Sequence, residues 1–126
     1  MTDRQRISSG SPFEPAIGFS RAVRIGNRIV IAGTAPIWPD GSCPDDVYVQ
    51  AKRCLEIITD ALARAGANTD QVVRTRMFLI DRNDADAVGR AHGEVFSEVR
   101  PAATMVVVKE LIDPRWKVEI EAEAEL

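Results

Sequence analysis

Histidine is almost missing from this chain: His92 is the only one among 126 residues, so no two imidazoles can share a metal ion. Cysteine is equally scarce. Cys43 and Cys54 stand eleven positions apart without a CxxC, and neither they nor His92 form a metal-ligand spacing, so no metal site is expected. A disulfide between a loop cysteine and a helical one is open, but reduced thiols are what a cytosolic chain carries. No apolar run approaches the roughly 18 residues of a membrane helix, and the start, 1–10, is polar with no hydrophobic region behind its charges. These absences predict a cytoplasmic protein with no membrane partner. Cations are not in excess either: the net charge is −3, without the clustered Lys and Arg that phosphate contacts require, which argues against a nucleic-acid partner. GxSxG, P-loop and GxGxxG patterns are all lacking, so Ser20, Thr34 and Ser97 have no recognisable base and a covalent hydrolase mechanism has no support.

What is present is an ordinary globular mixture, 45% hydrophobic and 28% charged, sufficient for one core and too short for two. A single domain spanning 1–126 is expected. Residues 2–15 form a Ser-, Pro- and Gly-rich lead-in with one short edge strand at 6–8. Runs 21–25 and 28–32 flank Gly26-Asn27, a dipeptide suited to the positive φ angles of a tight hairpin. The four successive apolar residues 29–32 imply a central strand covered on both faces, with nearly complete burial.

Three prolines and Gly41 make 35–46 a long loop, after which Asp45 or Asp46 caps a helix over 47–65. Ala51, Leu55, Ile58 and Leu62 recur at helical spacing, Lys52, Arg53, Glu56 and Asp60 fill the other side, and Gly66 is the stop. Residues 72–80 alternate as a strand, with Val73, Thr75, Met77 and Leu79 on one face and Arg74, Arg76 and Phe78 on the other. A second helix, 85–99, is capped by Asn83 or Asp84, buries Val88, Ala91, Val95 and Val99, and ends before Pro101. Strands at 104–108 and 116–126 close the chain. In the last, Val118, Ile120, Ala122, Ala124 and Leu126 alternate with Glu119, Glu121, Glu123 and Glu125. The order β-β-β-α-β-α-β-β is that of an α+β fold: a single sheet with two helices on one face. The opposite, half-polar face is then free to close against other copies of the chain.

Four glutamates at every second position repel one another unless cations lie alongside, and Arg74 and Arg76 share their spacing. An ion-pair ladder with Glu119 and Glu121 is one reading; the other has Glu119 orienting a water in a cleft. His92, mid-helix beside the buried stripe, reads as a packed neutral imidazole held by one hydrogen bond. Arg21, just before a buried strand, either forms a structural salt bridge or holds a ligand carboxylate.

Taken together, IGFSRAVRIGNRIVIAGT (17–34), Ala65-Gly66-Ala67 after the first helix, VVRTRMFLI (72–80), RPAATM (100–105) and VEIEAEA (118–124) resemble the Rid family, the YjgF-like reactive intermediate deaminases, also called the endoribonuclease L-PSP group. The resemblance spans nearly the whole chain. It implies a chorismate-mutase-like fold and a homotrimer, its sheets forming an inner barrel with three intersubunit clefts for a small-molecule ligand. Rid proteins of the archetypal kind hydrolyse imines and enamines to a keto acid and ammonia without a cofactor. In them an arginine holds the substrate carboxylate, and backbone groups and a glutamate hold the attacking water. By this likeness Glu119 is the catalytic glutamate and Phe19, Gly33, Ala103 and Met105 fall at cleft positions; with Arg21, Thr34 and Thr104 beside them, these are the expected substrate-binding residues.

Several of these positions depart from the family pattern. Ala103 stands where the family's arginine would be, Phe19 where it has a tyrosine, Gly89 where it has an asparagine, and Met105 where it has a cysteine. Loss of a charged partner weakens carboxylate binding by about 1.5 to 3 kcal/mol, roughly ten- to a hundredfold, which argues against archetypal 2-imino acid deamination. Two readings follow: an imine or enamine hydrolase using a water positioned by Glu119, and a non-catalytic small-molecule binding or sensing trimer. A third, ribonuclease activity, rests on the older family name alone, and the acidic balance opposes it.

Overall fold

Strict alternation at the C-terminus determines the centre of the molecule. In the computed structural model, which describes residues 3–126, Val118–Glu125 is strand β6; Met1 and Thr2, at the start of the lead-in, lie outside the described residues. Val118, Ile120, Ala122 and Ala124 are at most 2% exposed, while the glutamates between them face the other way. The remaining strands are β1 (Arg4–Ile7), β2 (Ala22–Ile25), β3 (Arg28–Thr34), β4 (Val72–Leu79) and β5 (Ala102–Val107). They form one six-stranded sheet in the order β1-β2-β3-β6-β4-β5. Only the β4–β5 pair is parallel, as the crossover through helix α2 (Ala85–Phe96) requires.

Helix α1 (Val47–Arg64) presents Ala51, Cys54, Leu55, Ile58, Ala61 and Leu62 to the sheet. Asp46 caps it by accepting from the Val49 amide at 3.1 Å, and Gly66 leaves it at φ 89°. The core lies between both helices and one sheet face, built on Ile29, Ile31, Leu55, Ile58, Leu62, Leu79, Val88, Phe96 and Ile120. The α+β sheet with two helices on one face is therefore as expected.

Several local expectations are corrected. The apolar run 29–32 is not covered on both faces: Ile29 and Ile31 are buried, but Val30 is 43% exposed, because the helices cover only one side. Val73 points outward. The β4–β6 register shifts between Val72 and Arg74, so one extra residue lets Val72 enter the core in its place. At the 26–27 turn only Gly26, at φ 59°, takes a positive φ. Helix α2 stops at Phe96, and Phe96 is buried where Val95 and Val99 are only partly so. Its side-chain cap is neither Asn83 nor Asp84. Asp81 instead accepts from the Asn83 amide at 2.9 Å and caps the short 3-10 turn that feeds the helix. Strands β1 and β5 each begin two residues earlier than expected.

A single polar side chain ties the long loop to the sheet. Gln50, fully buried on α1, donates to the carbonyls of Pro44 at 2.8 Å and Arg115 at 3.0 Å, and accepts from the Lys117 amide at 2.8 Å. Leucine in its place removes the partner of three part-buried backbone groups. Gln50→Leu is expected to lose about 2 to 4 kcal/mol of stability in urea denaturation; an unchanged midpoint would show that the loop satisfies those groups otherwise.

Candidate functional site

The open face of the sheet carries a ladder of opposite charges, and its register decides which glutamate is left out. Arg76 Nη1 donates to Glu121 Oε1 at 2.8 Å and lies 3.8 Å from Glu123; Arg74 lies 3.8 Å from Glu123, and Arg28 Nη2 donates to Glu123 at 2.6 Å. The ladder thus uses Glu121 and Glu123, not Glu119 and Glu121. Glu119 pairs across with Phe78, so no arginine of β4 stands opposite it.

Glu119 instead lies against a backbone irregularity. Between Ile31 and Thr34 strand β3 carries one more residue than β6, a bulge that lets both of those side chains enter the core. Gly33 sits in this bulge, and a Cβ there would come within 2.9 Å of Glu119 Oε2. Glycine therefore makes room for the carboxylate. Half-burial pushes the Glu119 carboxyl above the usual range, the Arg21 charge pulls it back, and Glu121 adds to the rise.

Arg21 and Glu14 are the only charged side chains buried among the described residues, at 8% and 5% exposure. Burying charge is costly unless it is paired and hydrogen-bonded. Arg21 Nη2 donates to the Gly33 carbonyl at 2.6 Å, while its Nε is buried without a partner. Glu14 opens a five-residue π-helical turn, Glu14–Gly18, and accepts from the Ser8 hydroxyl at 2.8 Å, the Ser9 amide at 3.0 Å and the Ser9 hydroxyl. Burial raises its pKa, but these bonds and the Arg21 charge together bring it below the usual value. Sequence reading did not single out Glu14. Its signal was weak, one acid after a run of serines, and the π turn that buries it has no sequence signature.

The other expected residues divide into two groups. Phe19, 38% exposed, follows the π turn with the Arg21 guanidinium 5.9 Å from its ring centroid, so Phe19, Arg21, Gly33 and Glu119 gather at one end of the sheet. Thr34 is close by but fully buried, its hydroxyl donating to the Ala32 carbonyl at 2.8 Å. Ala103, Thr104 and Met105 lie on edge strand β5, beyond β4; Ala103 and Thr104 are exposed, and Met105 packs partly on the core. One chain does not bring these two groups together. His92 has the packing role expected of it, with Nε2 2.8 Å from the Thr75 hydroxyl, its ring against Phe96, and burial lowering its pKa. Cys43 and Cys54 are both free thiols, pushed upward in pKa by burial. No described helix is long and apolar enough to cross a membrane.

A mixed sheet with both helices on one face, and a lone half-buried glutamate seated in a glycine bulge at its rim, defines a small α+β protein with a candidate site at the sheet end. The chain belongs to the endoribonuclease L-PSP family, whose model matches residues 10–126. It is 43% identical over 121 residues to an uncharacterised protein of Streptomyces coelicolor, covering 95% of this chain and 90% of that one. It is 35% identical over 113 residues to the Escherichia coli 2-iminobutanoate/2-iminopropanoate deaminase, covering 85% and 87%. The crystal structure of a Mycobacterium tuberculosis member of the YjgF/YER057c/UK114 family superimposes with a TM-score of 0.91 at 44% identity, over 98% of this chain and 100% of that one.

Because the folded state raises the Glu119 pKa, ionising this group costs stability as pH rises through its folded value. Glu119→Gln, which mimics the neutral form, is expected to be more stable than the unmodified protein at neutral pH. The gain should vanish below the ordinary glutamate range. Thermal melts from about pH 4 to 8 test this, and a destabilised variant at neutral pH would mean that Arg21 depends on the charged carboxylate.

Proposed function

We propose that this chain is a cytoplasmic, cofactor-free Rid-type protein whose homotrimer acts on a small metabolite in intersubunit clefts, by hydrolysing an imine or enamine through a water positioned by Glu119. The observation that carries this reading is the isolation of Glu119. Its neighbours on β6 are occupied by the arginine ladder, whereas Glu119 keeps a half-buried carboxylate free beside the Gly33 bulge. A carboxylate so placed can take a proton from water as the water adds to the imine carbon. The carbon–nitrogen double bond is then replaced by a carbonyl and ammonia departs, so that one imine and one water give one ketone or keto acid and one ammonia. The imine deaminase among the relatives supports this chemistry.

Trimer formation is supported by what one chain leaves uncovered. Val30, Val73 and Val106 are 43%, 47% and 42% exposed on or beside the open face, and the cleft's second group, Ala103, Thr104 and Met105, lies too far across the sheet to meet Glu119 within one chain. A neighbouring copy would bring the two groups together. The acidic balance, a net charge of −3, keeps nucleic acid and membranes outside this proposal.

A second reading, a binding or sensing trimer without catalysis, is favoured by Ala103: the edge strand offers no cation at that position. Ammonia and keto-acid release from imines generated by an amino-acid oxidase distinguishes the two. Unmodified protein is expected to accelerate release, and Glu119→Gln to lower the rate by roughly two to four orders of magnitude, the worth of a positioned base. Ala103→Arg is expected to raise turnover of 2-imino acids about ten- to a hundredfold. Silence from every variant on every imine would leave only the binding reading. Light scattering is expected to give three times the 13.8 kDa chain mass, and a monomer would remove the intersubunit cleft.

A further inference from the structure

We infer that Arg4 and Arg6 of β1 form an anion-binding subsite in the cavity beside Phe19, so that the cleft takes a carbonyl or imine compound whose carboxylate lies several bonds from the reacting carbon. This rests on the cleft reading above and names its substrate class. Ala103 supplies no cation, and the arginines nearest Glu119 are already engaged. Arg21 is buried, bonded to the Gly33 carbonyl and balanced by Glu14. Arg28, Arg74 and Arg76 all meet Glu121 or Glu123.

Arg4 and Arg6 differ. Both are exposed, and among the described residues neither has a salt-bridge or side-chain hydrogen-bond partner. Two apart on one strand, they project to the same side and line a cavity of about 530 Å³ with Phe19, Val23, Val30 and Ala32. The one carboxylate in its wall, Glu14, is committed to Ser8 and Ser9. An apolar floor with two unpaired guanidinium groups suits an apolar body with an anionic end.

Register sets the length of that body. Arg6 pairs with Val23, and Val23 with Val30, which lies three residues before Gly33 and its neighbour Glu119. Three residues are about 10 Å along a strand, and β1 stands two strands, about 10 Å, from β3. A carboxylate bonded directly to the reacting carbon, as in a 2-imino acid, does not span that separation. An extended arginine side chain covers most of it, and a carboxylate carried three or four carbons from the reacting carbon covers the remainder.

The test uses stable ketones in place of imines and reads binding, not turnover, by NMR titration of the unmodified protein. 5-Oxohexanoate is expected to bind at least about tenfold tighter than 2-oxobutanoate and than uncharged 2-hexanone, and to weaken with added salt. Arg6→Gln should weaken 5-oxohexanoate about tenfold, Arg4→Gln by a smaller factor, while Arg90→Gln, on helix α2 across the sheet, leaves it unchanged. Both β1 side chains are exposed and unpaired, so these variants fold, which circular dichroism checks. Equal or tighter binding of 2-oxobutanoate, indifference to Arg6→Gln, or no binding of any probe would overturn the subsite. Glu119→Gln should retain 5-oxohexanoate binding, and absence of imine turnover by the unmodified protein would count against the hydrolase reading and leave this inference standing.

Discussion

The molecule is organised by one central strand with opposite demands on its two faces. Strand β6 sends Val118, Ile120, Ala122 and Ala124 into the core and four glutamates the other way. The first set must be covered by helices, and α1 and α2 provide that cover. The second cannot be left as a row of like charges at two-residue spacing, so cations must come from the flanking strands. Arg28 on β3 and Arg74 and Arg76 on β4 meet this demand at Glu121 and Glu123. Exposed pairs of this kind contribute little stability each, so their larger effect is to hold β3, β6 and β4 in register.

That register then generates the site. With arginines opposite Glu121 and Glu123, the residue opposite Glu119 is Phe78, an apolar ring that offers no counter-charge. The β3 bulge places Gly33 where a side chain would otherwise sit, and Glu119 takes the space. Its one nearby cation among the described residues, Arg21, arrives from outside the sheet, buried, held by a backbone carbonyl and balanced by Glu14. A free carboxylate in a half-buried position is thus a consequence of pairing geometry two and four residues further along the same strand.

The parts of this arrangement differ in how legible they were. Element order, the single sheet and the helix faces follow from periodicity, because apolar spacing in 51–62 and alternation in 118–126 leave one solution each. The two bulges were not legible. Each adds one residue to a strand whose composition, Val-Val at 72–73 or Ala-Gly at 32–33, reads the same with or without it. For that reason alternation put Val73 inside; the arginines were set against Glu119 and Glu121 because equal spacing does not fix the register between β4 and β6. Glu14 was hidden for a related reason: its burial comes from a π turn and three hydrogen bonds within 8–18, contacts that no periodic pattern records. Glu119 and Gly33 were reachable through family likeness, whereas physical spacing alone left a ladder and a water site both open.

The separation between Glu119 and the edge strand also bears on which parts of such a scaffold can change. The Glu119 side depends on backbone: a bulge, a glycine and a carbonyl held by a buried arginine, none of which tolerates substitution without moving the others. The edge strand is different. Ala103 and Thr104 are exposed on β5, and Arg4 and Arg6 are exposed on β1 at the opposite margin of the sheet. Exposed edge positions exchange side chains at little cost to the core, since surface substitutions typically change stability by about 0.5 kcal/mol or less. A cation can therefore be lost at one margin and supplied at the other while the Glu119 end stays fixed. In this fold Glu119 is constrained by the interior of the sheet, and the exposed cations only by its edges.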